Sequence, residues 1–362
     1  MHFLLPHNRL DDLLQALHEQ GFAVKGPQVR DKTIVYDTLE RAADLPWGVR
    51  DHQAPGEYQL QDSGNQHHAF DWAMGLNAAK PQLFKPKEHL WKVVRDSAGK
   101  LTFQPVIQAE KMALFGIRPC DLKALLIQDK VFISDDYQDQ RYKQRRDNLF
   151  IVVANCTYSG EHCFCVSAGG YPKADNAFDW AMTETDEGFV VQAGSTAGEQ
   201  LIQALALAGA DLSLVQKADQ AIDAAAKAQK KKLPAVDVKK VLLDHPEHPQ
   251  WDKVAERCLS CGNCTQVCPT CFCHREVEHP GLDGAESVHE REWDSCFSLD
   301  HSYIAGGIVR KDIKHRYRQW LTHKFATWHE QFDTSGCVGC GRCISWCPVG
   351  IDVTEEIEAI SK

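Results

Sequence analysis

Two stretches of this chain carry chemistry on their face: Cys258 to Cys273, reading CLSCGNCTQVCPTCFC, and Cys337 to Pro348, reading CVGCGRCISWCP. Each contains the run C-x2-C-x2-C-x3-C-P, with which bacterial ferredoxins hold cubane iron–sulfur clusters. The spacing has a physical reason. Short glycine-containing turns, here at Gly262 and Gly341, let three thiolates and several backbone N–H groups curl around one cube. The fourth cysteine, followed by proline, points away and serves the other cluster when two runs are present. The expected ligand sets are therefore Cys258, Cys261, Cys264 and Cys347 for one 4Fe-4S cluster, and Cys337, Cys340, Cys343 and Cys268 for the second. Zinc is the rival, because C-x2-C pairs also build tetrahedral thiolate sites. Two complete four-cysteine runs, both ending in Cys-Pro, favour iron and sulfide. Disulfides are disfavoured because no leader directs the chain to an oxidising compartment.

The elements that must position these thiols come next. The chain has 362 residues, 43% hydrophobic and 25% charged, with a net charge of −10. That is room for two domains of an ordinary globular protein, and the acidic balance argues against nucleic acid as a partner. No apolar run is long enough to span a membrane and no signal peptide opens the chain, so the expected location is cytoplasmic. Asn8 to Gln20 places Leu10, Leu13, Leu14 and Leu17 on one helical face. Phe22 to Val24 and Thr33 to Tyr36 read as short strands, and Trp47 to Lys87 reads mostly as loop. Within that loop His67-His68 reads as a solvated pair, lacking a spaced third ligand. The hexapeptide AFDWAM occurs at Ala69 to Met74 and again at Ala177 to Met182. Its flanks do not align, so it signals no repeat architecture.

Met112 to Ile117 reads as a buried strand running into Arg118-Pro119-Cys120, with a helix from Asp121. Phe150 to Ala154 reads as a second strand ending at Asn155-Cys156. Both cysteines fall at carboxyl ends of strands, where open α/β sheets place ligands. Cys163-Phe164-Cys165 follows closely, then a hairpin from Asp179 to Ala193. Two helices and the lysines Lys230 to Lys232, read as a solvated helix end, lead to a boundary near Ala235 to Pro249. The expected architecture is an α/β domain over 1–240, followed by an all-helical two-cluster ferredoxin domain over 241–362. The helical patterns at Lys311 to Trp328 and Thr354 to Ile360 underlie that second expectation.

Seven cysteines fall outside the two runs. Cys120, Cys156, Cys163 and Cys165 form the expected set for a third 4Fe-4S cluster, the alternative being buried thiols acting as small hydrophobes. Cys271, Cys273 and Cys296 make only a three-cysteine set. A further cluster there needs a fourth ligand, a histidine such as His274 or His279 or a cysteine of the first domain; otherwise these thiols support neighbouring ligands or the fold. Trp346, beside Cys347, reads either as a shield against water or as a core aromatic. No dinucleotide fingerprint, P-loop, nucleophile elbow or H-E-x-x-H is present. Catalytic residues are thus not indicated, and the chain reads as a conductor of electrons.

One resemblance narrows this reading. GIRPCDLKAL at Gly116 to Leu125, Asn155-Cys156 with Cys163-Phe164-Cys165, CPTCFC at Cys268 to Cys273, Trp293-Asp294-Ser295-Cys296 and the final run resemble the iron–sulfur β subunit of cytoplasmic nickel–iron sulfhydrogenases. The A subunit of anaerobic sulfite reductase is similar. The likeness covers most of the chain after about Leu101. It implies an electron-transfer subunit of a hetero-oligomer with hydrogenase large and small subunits and a flavin subunit that reacts with NAD(P). In the sulfite-reductase alternative the terminal partner carries sirohaem. Two other readings remain open: an enzyme that itself reduces sulfur or polysulfide at an exposed cluster or a thiol such as Cys296, and a scaffold whose clusters only stabilise the fold.

Overall fold

The computed structural model describes residues 1–106, 110–134 and 137–362. Its largest element is an eight-stranded mixed sheet, ordered Ala208–Gly209, Phe3–Leu5, Gly188–Ala193, Trp180–Thr185, Leu149–Ala154, Met112–Ile117, Ala23–Arg30, Thr33–Thr38. The four strands from Ala23–Arg30 to Trp180–Thr185 are parallel, and the outer ones are antiparallel. Parallel strands are covered on both faces and so read as unbroken apolar runs. Ala113–Phe115 and Phe150–Ala154 fit that description and are buried. Leu10–Glu19 forms the amphipathic helix, burying Leu10, Leu13, Leu14 and Leu17.

At the end of one central strand the ladder slips between Phe115 and Ile117. Gly116 adopts a φ of 71°, and a Cβ there would lie 2.6 Å from the Phe70 ring. The slip turns the chain toward Arg118, which is fully buried and donates to the carbonyls of Phe70, Trp72 and Ala154. The helix Pro119–Phe132 then starts with proline in its first turn, so Cys120 sits at its N-terminal end. The two AFDWAM copies share no conformation: the first is irregular chain, the second enters the strand Trp180–Thr185.

One expectation is corrected and another refined. The region after 240 is not all-helical. His274–Pro280 and Glu286–Trp293 form a hairpin that joins Lys87–Arg95 and Leu101–Pro105 in a four-stranded antiparallel sheet. Its strands carry few apolar residues, which hides them from hydrophobic periodicity. Cross-strand pairs hold them instead: Lys87 with Glu290 at 2.6 Å, His289 with Glu276 and Glu278 at 2.9 Å each, and Trp91 stacked on His289 at 4.0 Å. Beneath lies a buried network in which Glu88 meets Arg145 and Arg291. Likewise, the mostly irregular stretch Trp47 to Lys87 contains an unexpected hairpin, Val49–Ala54 paired with Glu57–Asp62. Its Asp51 accepts from the Ala73 backbone and from Gln53, which makes a polar strand buriable.

The helices of the second half surround a second core containing Trp251, Tyr317, Leu321, Phe325 and Ile357. Phe164, from the first half, is part of it. Helix Ile313–Thr322 passes into one π-helical turn, His323–Thr327, which carries Lys324 inward. No helix among the described residues is long and apolar enough to cross a membrane.

His68 is not merely solvated: its Nδ1 lies 3.3 Å from Asp71 and its Nε2 3.2 Å from Asp186. The hydrogen bond to Asp71 raises its pKa against the opposing effect of burial. A raised folded-state pKa gives stability that is complete below the ordinary value and fades as pH rises through the raised one. His68→Gln is therefore expected to cost about 0.5 kcal/mol more near pH 5.5 than near pH 8.5. Urea midpoints of the two proteins at both pH values measure it.

Candidate metal centre

The two cysteine runs fold alike. Gly262 and Gly341 have φ of 77° and 76° and cap the short helices Asn263–Gln266 and Arg342–Ser345. Two residues after the first cysteine of each run, Ser260 and Gly339 also adopt positive φ, 53° and 67°. That conformation aims their N–H groups back, so Ser260 donates to Cys258 Sγ and Gly339 to Cys337 Sγ, each at 3.4 Å. Ile351 N–H donates to Cys347 Sγ at 3.3 Å. Backbone N–H···S bonds favour thiolate over thiol.

Cys258, Cys261, Cys264 and Cys347 line one cavity, with Cys343 at its edge and Tyr317 and Trp320 in its wall. The Tyr317 hydroxyl there is buried without a hydrogen-bond partner. Around Cys343 gather Cys337, Cys340 and Cys268, whose charges add to burial in pushing its thiol well up. Cys268 is buried, 3.2 Å from Lys324 Nζ and 3.1 Å from Thr270 Oγ1. Burial opposes the charge of Lys324, but Cys268, Cys271 and Cys337 more than offset it and raise its pKa.

The remaining cysteines of the first half meet the second run directly. The loop His162–Cys165 lies on it: Phe164 N–H donates to Gly339 C=O at 2.9 Å, and His162 Nδ1 is 2.8 Å from Ser345 Oγ. A Cβ on Gly339 would be 2.5 Å from the Cys165 backbone, and one on Gly341 2.3 Å from the His162 carbonyl. Cys165 accepts from Gln229 Nε2 at 3.1 Å. Burial pushes the Cys156 thiol up to about 11, Arg118 opposes this, and nearby Cys165 adds to it. Cys163 has Cys165 and Cys156 as neighbours, while Cys120 has Asp121, Arg342, Cys340 and Cys156. Cys120 and Cys165 share a cavity wall with Lys123. The structure thus places Cys120 and Cys165 on one cavity wall and seats Cys165 on the second run.

A buried ion pair locks this junction. Arg342, between Cys340 and Cys343, donates to both Asp121 oxygens at 2.8 and 2.9 Å and to Gly75 C=O at 2.8 Å. Lys80 is also buried, within 3.3 Å of Thr265 C=O and 3.9 Å of the Trp293 ring centre. Sequence reasoning missed these cations. A lysine at 324 or an arginine at 342 gives no spacing signal, and only its burial beside thiols marks it.

Of the last three cysteines, Cys271, Cys273 and Cys296 line a separate cavity with His274 and His301. His279 lies elsewhere, paired with Glu290. Lys231 does not end in solvent alone but pairs with Asp352 at 2.6 Å, and Lys230 with Glu161. Trp346 stacks on Tyr58 at 5.0 Å.

Paired cysteine curls with N–H···S bonds, thiols facing one cavity and buried cations beside them define a ferredoxin-type centre suited to thiolate-bound clusters. In agreement, the family model of a 4Fe-4S dicluster domain matches residues 257–351. Sulfhydrogenase 2 subunit beta of Pyrococcus furiosus is 30% identical over 300 residues, covering 81% of this chain and 85% of the relative. The chain belongs to the sulfhydrogenase β-subunit family and is an iron–sulfur electron-transfer protein. No solved structure matches it.

Proposed function

We propose that this chain is the electron-relay subunit of a nickel–iron hydrogenase complex, passing electrons between the hydrogenase module and a flavin subunit that reacts with NAD(P). Bound 4Fe-4S clusters supply one-electron carriers whose potentials respond to hydrogen bonds, charge and burial. Cys258, Cys261, Cys264 and Cys347 would hold the first; Cys337, Cys340, Cys343 and Cys268 the second; Cys120, Cys156, Cys163 and Cys165 a third. The observation that carries the reading is the seating of His162–Cys165 on Gly339–Gly341, with Cys120 beside Cys340. It sets the third thiol group against the second, while Cys343 of the second lines the cavity of the first, an order that suits a wire. Ser260, Gly339, Ile351 and Gln229 supply donors to the sulfurs. Tyr317, Trp320 and Phe297 keep water from the first group.

Iron and acid-labile sulfide in the anaerobically purified chain should reach about twelve per chain or more, and Cys156→Ala should remove about four. Iron unchanged in Cys156→Ala would sink the third cluster, and zinc in place of iron the whole reading. Nickel and flavin should accompany the chain in its native complex. Sirohaem in their place would assign it to sulfite reduction.

A further inference from the structure

The cavity lined by Cys271, Cys273 and Cys296 has a volume of about 300 Å³. Its two cysteine segments are tied together, since Asp294 N–H donates to Cys273 C=O at 2.9 Å. Phe272 packs against Trp328, Phe332 and Phe132 and lines the cavity together with the thiols on either side of it. Cys273, Cys296 and His301 all line this cavity. The His301 Nδ1 is 3.0 Å from Asp294 Oδ2, and Asp294 is itself fixed by Ser298 Oγ at 2.6 Å. A carboxylate on one ring nitrogen is the arrangement that orients a metal-binding histidine and frees the other nitrogen for the metal.

The rest of the wall suits an anionic group rich in acceptors. Trp320 and Trp328 line it, and both indole N–H groups are buried without a partner. Arg310 and Lys324 supply positive charge. Among the described residues no three donors converge on one point as a single zinc ion demands. Cys271, Cys273, Cys296 and His301 instead share the wall of a cavity larger than a single ion needs.

We propose that Cys271, Cys273, Cys296 and His301 hold a further 4Fe-4S cluster, with the His301 imidazole as its one nitrogen ligand. The site stands on its own donors and does not depend on the third cluster. It borders both ferredoxin groups, because Lys324 in its wall lies 3.2 Å from Cys268 and Trp320 lines both this cavity and that of the first group. His301 is exposed, as is Cys261 of the first group, so this is a second place where the relay reaches the surface.

The test compares the full-length chain with the double variant Cys273→Ser, Cys296→Ser, purified anaerobically. Iron and sulfide should each fall by about four per chain, while the paramagnetic signal of the two interacting ferredoxin clusters persists. Unchanged iron, or loss of one zinc, overturns the proposal. A nitrogen hyperfine coupling in pulsed paramagnetic resonance of the reduced wild-type protein should vanish in His301→Gln. Its absence from the wild type overturns the imidazole ligand whether or not the double variant folds. Cys156→Ala reports separately on the relay's third cluster, so the two ideas can fail independently.

Discussion

Asp121→Ala is expected to destabilise the protein by about 4 kcal/mol, the cost of leaving a buried charge without its partner. Asp121 and Arg342 are each 1% exposed in their side chains and meet through two parallel hydrogen bonds. Arginine's intrinsic pKa is so high that the guanidinium stays charged in the variant even when buried without its partner. The pair also joins two cysteine groups. Asp121 follows Cys120 on its helix, and Arg342 lies between Cys340 and Cys343. The loss should therefore appear twice: as a lower denaturation midpoint, and as weaker magnetic interaction between the second cluster and the proposed third. Asp121→Asn, which keeps one acceptor oxygen, should lose less on both counts. A stability change within about 0.5 kcal/mol of wild type, the range of ordinary surface substitutions, would contradict this account.

Much of this arrangement can be read from residue spacing, and the rest fails to show for identifiable reasons. The two curls are written in C-x2-C-x2-C, because three thiols and a glycine at fixed intervals leave the backbone one way to wrap. The parallel strands are written in MALFGI and LFIVVA, since doubly covered strands are apolar throughout. The hairpin His274–Trp293 is nearly invisible, because it is stabilised by Lys87, Glu290, His289 and Trp91 across a central strand pairing that no local pattern predicts. Its existence overturns an all-helical second half, and its partner strand comes from the first half. Cys120, Cys156, Cys163 and Cys165 were recognisable as strand-end and loop thiols, whereas the seating of Cys165 on Gly339 depends on tertiary packing alone. His301 was missed because it stands apart from every cysteine pair. Only the folded chain shows Asp294 orienting it.

Lys324→Met is expected to lower the reduction potential of the second cluster by on the order of 100 mV. The ammonium lies 3.2 Å from Cys268 Sγ, is 4% exposed, and also donates to Thr270 Oγ1 and Gly336 C=O at 3.0 Å each. A unit charge a few ångströms from a centre is worth about 3 kcal/mol at an effective dielectric constant of about 20, which for one electron is roughly the stated shift. The sign follows from charge balance. Reduction adds a negative charge, the buried cation stabilises the reduced form more than the oxidised one, and its removal makes the cluster harder to reduce. Methionine fills a similar volume, and Thr270 keeps its 2.6 Å bond to Gly336 C=O, so the local backbone retains an anchor. A redox titration followed by paramagnetic resonance measures the effect. The first cluster, whose thiols Cys258, Cys261 and Cys264 have no hydrogen bond to Lys324, should keep its potential and serve as the internal standard. An unmoved second potential would mean that Cys268 does not bind that cluster. Because the potentials of the terminal partners are unchanged, a true shift at this intermediate carrier should change the rate of electron passage across the chain by the same factor in both directions.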